Sequence, residues 1–163
     1  MIIRLPKFED EKKISILIAK FREELKELKG IKSSINIEQG REEFKEYMEA
    51  KYPIFVVEGD RKELLGYLVC RIDDSVVWVE SLFVSHDSRR KGVASKLYQK
   101  AETIARELGE DTVYNWVNPN NDKMISFLAK RGYNVLNLIE IRKPWKDEAL
   151  IQKIKVSDHE YNY

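Results

Sequence analysis

The 163-residue sequence has a single cysteine and two histidines. One cysteine excludes an intramolecular disulfide and any multi-cysteine zinc site. Cys70 follows Leu68 and Val69 in an apolar stretch, the setting of a buried, inert thiol rather than a nucleophile. His86 and His159 have no partners at metal-ligand spacing, so no metal is expected. No apolar run approaches membrane-spanning length and no signal-peptide pattern appears, so a membrane partner is not expected and the cytoplasm is the default location. Neither sign of charge dominates. The 29 Lys and Arg residues nearly cancel 28 Asp and Glu residues, for a net charge of +1. A general nucleic-acid binder should be strongly basic, so nucleic acid is not an expected partner.

What remains is an ordinary globular chain. Its hydrophobic content is 43% and its length is that of one domain, read as 1–163 without repeats or linkers. Ile2 to Leu5 reads as a short strand. Asp10 begins a helix to about Leu28, with Ile14, Leu17, Ile18, Phe21, Leu25 and Leu28 inward and Gly30 at its end. Residues 31–40 read as a polar loop. A shorter helix follows from Glu42 to Ala50, with Phe44, Tyr47 and Met48 inward. Ile54 to Glu58, Glu63 to Ile72 and Val76 to Val84 form a meander of strands joined by turns at 59–62 and 73–74. A helix, a strand over 112–117, a helix and a strand over 133–142 come next, and 151–156 adds a last strand. The tail from Ser157 to Tyr163 is polar and aromatic; it either frays or orders against a cleft or neighbouring subunit. Antiparallel strands followed by a parallel crossover predict an α/β (α+β) fold. Its mixed central sheet would have six to seven strands, with about four helices on its two faces.

The chemistry concentrates between Val76 and Leu108. An apolar strand ends at Val84, a polar loop brings Arg89, Arg90 and Lys91 together, and Gly92-Val93-Ala94 opens a helix. Val93, Ala94, Leu97, Ala101, Ile104, Ala105 and Leu108 recur at the spacing of one buried helix face. A helix N-terminus presents unpaired N–H groups and the positive end of its dipole. Small residues let phosphate approach that backbone, and basic side chains add charge. The three cations also fit a solvated basic loop. The dinucleotide fingerprint needs three glycines, of which only Gly92 is present, and no P-loop pattern occurs. A second block begins with the turn cluster Asn118-Pro119-Asn120-Asn121-Asp122, a plausible helix N-cap. Met124, Phe127 and Leu128 form an apolar face, and Gly132 ends the helix.

The run Arg89-x-x-Gly92-x-Ala94, after the strand Leu82-Phe83-Val84, resembles the acetyl-coenzyme A signature of GNAT-type N-acetyltransferases. Asn121-x-x-Met124-x-x-Phe127-Leu128-x-x-x-Gly132-Tyr133 resembles that family's later motif, in the family's order and separation. The likeness covers about Val76 to Arg142; earlier segments share only the order of elements. It implies a single GNAT-like domain. Residues 1–75 would shape the acceptor cleft, 76–142 would bind acetyl-CoA, and 143–163 would form a final strand and tail.

The resemblance implies transfer of an acetyl group from acetyl-CoA to an amine acceptor, either a small molecule or a protein amine. A lysine-like amine is mostly protonated at neutral pH, so a general base is needed. Backbone N–H groups should stabilise the oxyanion. Glu80 is the carboxylate in the strand leading to the turn and matches a Glu of related enzymes. It is either that base or a group that binds cationic substrate or a neighbouring Arg. Strict alternation would set Glu80, Leu82 and Val84 on one face and Val79, Ser81 and Phe83 on the other.

By the same resemblance, the backbone of Leu82, Phe83 and Val84 should pair with the pantetheine arm, beside a bulge that splays this strand from the next parallel one. Arg89, Arg90, Lys91, Gly92, Val93, Ala94 and Ser95 should take the pyrophosphate. Asn121 should touch the pantetheine or thiol region, and Phe127 and Lys130 the coenzyme's far end. These last three also read as a helix cap, a core aromatic and a solvated lysine. Leu128 stands where many members carry a Tyr that reprotonates the thiolate. Tyr98, Tyr133, Tyr114 and Asn118 are the nearest polar substitutes, with Tyr98 and Tyr133 read chiefly as core. Family members often dimerise, which leaves a homodimer open. The rival to an enzyme is a non-catalytic acyl-CoA-binding sensor or protein-interaction module on the same fold.

Overall fold

The computed structural model describes all residues from Met1 to Tyr163. They form two compact units, Met1–Trp116 and Val117–Tyr163. The first holds β1 (Ile2–Arg4), α1 (Glu11–Leu28), α2 (Ile37–Glu49), β2 (Ile54–Glu58), β3 (Leu64–Asp73), β4 (Val76–Val84), α3 (Val93–Glu107) and β5 (Tyr114–Asn115). The second holds α4 (Asp122–Ala129), β6 (Lys153–Val156) and β7 (His159–Asn162). The mixed α/β fold with four helices agrees with the sequence. The central sheet has five strands in the order β1-β2-β3-β4-β5, antiparallel except for the parallel pair β4–β5, while β6 and β7 form a separate hairpin.

Both faces of β3 are covered, because Tyr67, Leu68, Val69 and Cys70 are all fully buried. Tyr67 and Val69 belong to a cluster with Ile14, Leu17 and Ile18 of α1 and Phe44 and Tyr47 of α2. The alternate face receives α3, whose Lys100 lies 5.8 Å above the ring of Phe55, the residue paired with Leu68. Cys70 is buried, and burial pushes its thiol up to about 12. It stays protonated at neutral pH, as expected of an inert core thiol.

Several boundaries differ from the sequence reading. Helix α2 starts at Ile37, because Asn36 accepts a hydrogen bond from the Gln39 N–H at 3.0 Å and caps a turn assigned to loop. Met48 of α2 is exposed, whereas Phe44 and Tyr47 face inward as expected. The strand expected over 112–117 is reduced to Tyr114–Asn115, and residues 133–142 form no strand. The latter stretch has the right composition, and Val135, Leu136 and Leu138 are exposed. Composition cannot supply a ladder: a strand exists only where another edge takes its N–H and C=O groups. The tail is not frayed, because 159–162 returns along 153–156 as a hairpin.

Two contacts hold the helical layer. Gly40 of α2 lies so close to α1 that an added Cβ would overlap the Ser15 carbonyl oxygen and come within 3.0 Å of the Ala19 nitrogen. Ahead of α1, the Arg4 guanidinium grips the Asp10 carboxylate at 2.5 and 3.1 Å, and the Lys7 N–H adds a third bond at 2.8 Å. Asp10 is only 1% exposed. Hydrogen bonding from Arg4, chiefly, holds its carboxyl below the ordinary value against the opposing effect of burial.

Gly40→Ala should destabilise the fold by roughly 1–3 kcal/mol through overpacking, although alanine is the better helix former by about 1 kcal/mol. A thermal melt with an unchanged or raised midpoint would refute the close contact. Asp10→Asn should cost roughly 1.5–3 kcal/mol at neutral pH through its charge-assisted hydrogen bonds. A carboxyl depressed in the fold adds stability above its unfolded pKa, about 3.9, and loses it as pH falls through the folded value. The variant should therefore show a shallower acid loss of stability in melts between about pH 5 and pH 2.

Candidate active site

The site is built on β4. This strand pairs with β3 along its whole length but meets β5 only at Trp78↔Tyr114 and Val79↔Asn115. From Glu80 to Val84 its other edge has no strand partner. The irregularity expected beside the parallel strand lies instead in the β3–β4 ladder. There Val69 pairs with Ser81 and Cys70 with Val79, so Glu80 is the unmatched residue of a bulge.

That extra residue changes which way the carboxylate points. Cross-strand partners share a face, and regular β3 sets Tyr67, Val69 and Arg71 on the face packed by α1 and α2. Ser81 and Phe83 lie on this face, while Leu82, opposite Leu68, lies on the other. Glu80 approaches Arg71, with Oε2 3.7 Å from Nε, so it shares a face with Ser81 and not with Leu82. Strict alternation would give the reverse. The bulge breaks it by shifting the strand's parity by one residue.

Around Glu80 the same face carries Trp78, Tyr114 and Trp116, with ring centroids 5.0 Å apart from Trp78 to each of the other two. The Arg71 guanidinium lies 4.7 Å from the Trp116 ring centroid and 5.5 Å from that of Trp78. Tyr67 and Ser81 share a hydrogen bond of 2.8 Å in the core. Burial raises the Tyr67 phenol well above its ordinary pKa, so it stays neutral. Sequence reasoning passed over Arg71, Trp78 and Trp116. The available signal was a cation inside an otherwise apolar strand, followed across a turn by a tryptophan one residue before Val79 and Glu80.

At its C-terminal end β4 runs through a short helical turn, His86–Ser88, into the cationic turn and α3. Gly92 has φ +78° and Arg90 has φ +59°, both left-handed. The helix ladder begins with the Lys96 N–H bonded to the Gly92 carbonyl at 3.1 Å. The amides of Val93, Ala94 and Ser95 precede it and have no intrahelical acceptor. No heavy atom lies within 4 Å of the Cβ position at Gly92, so the turn is open there.

The three cations part company. Arg89 turns back onto α1, where its Nη2 meets both Glu24 oxygens at 2.5 and 2.7 Å and its Nε donates to the Val84 carbonyl at 3.0 Å. The Lys91 ammonium donates to the Asp87 carbonyl at 2.8 Å, and Arg90 is exposed. Tyr98 is fully buried, with its hydroxyl held by the Asn115 amide, in keeping with a core role. Between α1 and α2, Arg22 forks onto Glu43 at 2.7 and 2.6 Å and Arg41 reaches Glu11 at 2.9 Å. Much of the mixed charge on α1 and α2 is therefore paired.

In the second unit, Asn121 caps α4 by accepting from the Met124 N–H at 3.2 Å. Phe127 is half-buried with the Arg131 guanidinium 5.8 Å from its ring, Leu128 is buried, and Lys130 is exposed. Gly132, at φ +90°, closes the helix. Its own N–H bonds Ala129 and the Tyr133 N–H bonds Leu128, the double bond of a glycine C-cap. No group of three His, Cys, Asp or Glu side chains is placed to hold a metal ion.

The fourth strand of the sheet thus loses its neighbour midway and feeds an open helix N-terminus. The Acetyltransferase (GNAT) family model matches residues 18–133, and the chain belongs to that family. Solved structures share its fold. A "probable acetyltransferase" aligns with a TM-score of 0.70 at 21% identity, over 91% of this chain and 100% of that one. The aminoglycoside 6'-N-acetyltransferase AAC(6')-IG of Acinetobacter haemolyticus aligns at 0.61 and 18%, over 91% and 100%. AAC(6')-Iy, solved with the bisubstrate analogue CoA-S-monomethyl-acetylneamine, aligns at 0.66 and 19%, over 88% and 98%. No curated protein sequence matches the chain. None of its helices is long and apolar enough to cross a membrane.

Proposed function

We propose that the protein transfers an acetyl group from acetyl-CoA to a primary amine. The neutral amine nitrogen attacks the thioester carbonyl carbon, the carbon–sulfur bond breaks, and the proton lost by nitrogen balances the one gained by the departing sulfur. Amide and free thiol result. The observation that carries this reading is the unpartnered edge of β4 from Glu80 to Val84, which leads into free amides at the start of α3. A pantetheine arm carries amides spaced to pair with such an edge, and a diphosphate suits the amides and dipole of a helix N-terminus.

Leu82, Phe83 and Val84 offer backbone to the arm. The Val84 carbonyl keeps a second lone pair beside the one taken by Arg89. Gly92, Val93, Ala94 and Ser95 offer amides to the diphosphate, with Arg90 and Lys91 adding charge at its rim. Arg89 contributes through its backbone while its side chain ties the turn to α1. Glu80 takes the proton from the acceptor amine, on the face opposite Leu82.

Acetyl-CoA should raise the melting temperature: at about 100 times Kd it adds about 2.7 kcal/mol, or several degrees for a chain of this size. No shift would remove the coenzyme site. With a panel of polyamines, peptides, lysine and aminoglycosides, thiol release should accompany at least one acceptor. Binding without turnover on the whole panel would instead select a coenzyme-binding sensor. Glu80→Gln should lower kcat by about 10²–10⁴, the usual worth of a general base, while coenzyme affinity holds. An unchanged kcat would reduce Glu80 to a binding or structural role.

A further inference from the structure

Arg71 is the cationic neighbour of Glu80, and nothing in the coenzyme turn requires it. It projects from β3 opposite Trp78, and its Nε faces Glu80 Oε2 across 3.7 Å. Both atoms are buried, and neither has a hydrogen-bond partner. Their side chains are only 22% and 23% exposed. The carboxylate therefore has an electrostatic neighbour but no hydrogen bond at Oε2 to fix it. The guanidinium is itself confined. Trp116 and Trp78 lie against it, with ring centroids 4.7 and 5.5 Å away, and Asp73 approaches Nε at 3.4 Å.

A planar cation lying against two aromatic rings is restrained by them, while a carboxylate on a bulge is free to swing unless something opposes it. A base acts only within hydrogen-bond reach of the proton it removes, and in nucleophile–base pairs a third group commonly orients the base.

We infer that Arg71 is a positioning residue that aims the Glu80 carboxylate at the acceptor amine, with Trp78 and Trp116 holding the guanidinium in place. The inference rests on the reading of Glu80 as the base. It assigns the tryptophan pair an indirect part in turnover, and it makes the bulge, the arginine and the two rings one device.

A double-mutant cycle separates this role from a structural one. Arg71→Gln should lower kcat by about tenfold or more while acetyl-CoA binding, read by titration, stays within about twofold. The double variant Arg71→Gln/Glu80→Gln should be no slower than Glu80→Gln alone, because a residue that acts through Glu80 has nothing left to aim. Arg71→Lys, which keeps the charge without the planar face, should recover part of the loss. Trp116 is exposed, so Trp116→Leu provides a variant that spares the core. It should lower kcat in the same direction, and again only when Glu80 is present. If Glu80→Gln leaves kcat untouched, the base reading itself fails. If Glu80→Gln is slow but the Arg71→Gln effect is absent, or multiplies in full with it, the positioning role is overturned and the base reading survives.

Discussion

The one-residue excess of β4 over β3 at Glu80 is the constraint on which the site depends. Pairing resumes on either side of it, so the core is undisturbed: Phe83 and Ser81 still meet Tyr67 and Val69, and Val79 still meets Cys70. What changes is parity. Without the bulge, the alternation of Ser81 and Phe83 would carry Glu80 to the face covered by α3. With it, the only carboxylate of β4 lies among Arg71, Trp78 and Trp116 on the face packed by α1 and α2. Bulges re-aim side chains at the cost of one unpaired residue, and here the re-aimed side chain is the strand's one carboxylate.

The second organising feature is the open start of α3. Three amides without intrahelical acceptors and a left-handed glycine with empty space above it leave the helix N-terminus open. Its charge is less than the run Arg89-Arg90-Lys91 suggests, because Arg89 is committed to Glu24 and stacks over Phe83 at 5.5 Å. That commitment joins the turn to α1. The turn before α3 and helix α1 are thus tied by a charge-assisted fork at a partly exposed site, where such a pair contributes little to stability.

Much of this was legible in the sequence because it depends on local rules. Helix α3 announces itself by an apolar stripe behind a glycine, and Val93, Leu97, Ala101 and Ala105 are indeed buried. Asn121 and Gly132 cap α4 as their types require. The meander β2-β3-β4 follows from alternation and turn residues. The early start of α2 and the missing strand at 133–142 were not legible in the same way. The first turns on whether one asparagine side chain bends back to a backbone amide, and the second on whether a neighbouring edge exists to pair with.

The sequence by itself determined the class of fold, the family, the glycine turn that opens α3 and the identity of the one acidic residue in the strand before it, since each is written in spacing of three or four, alternation of two, or a short motif. Only the tertiary structure decided where Glu80 points, which cations remain available and what surrounds the carboxylate. Those depend on register between strands far apart in sequence: a bulge is a mismatch between two segments, and neither Val69-Cys70 nor Val79-Glu80-Ser81 contains it alone.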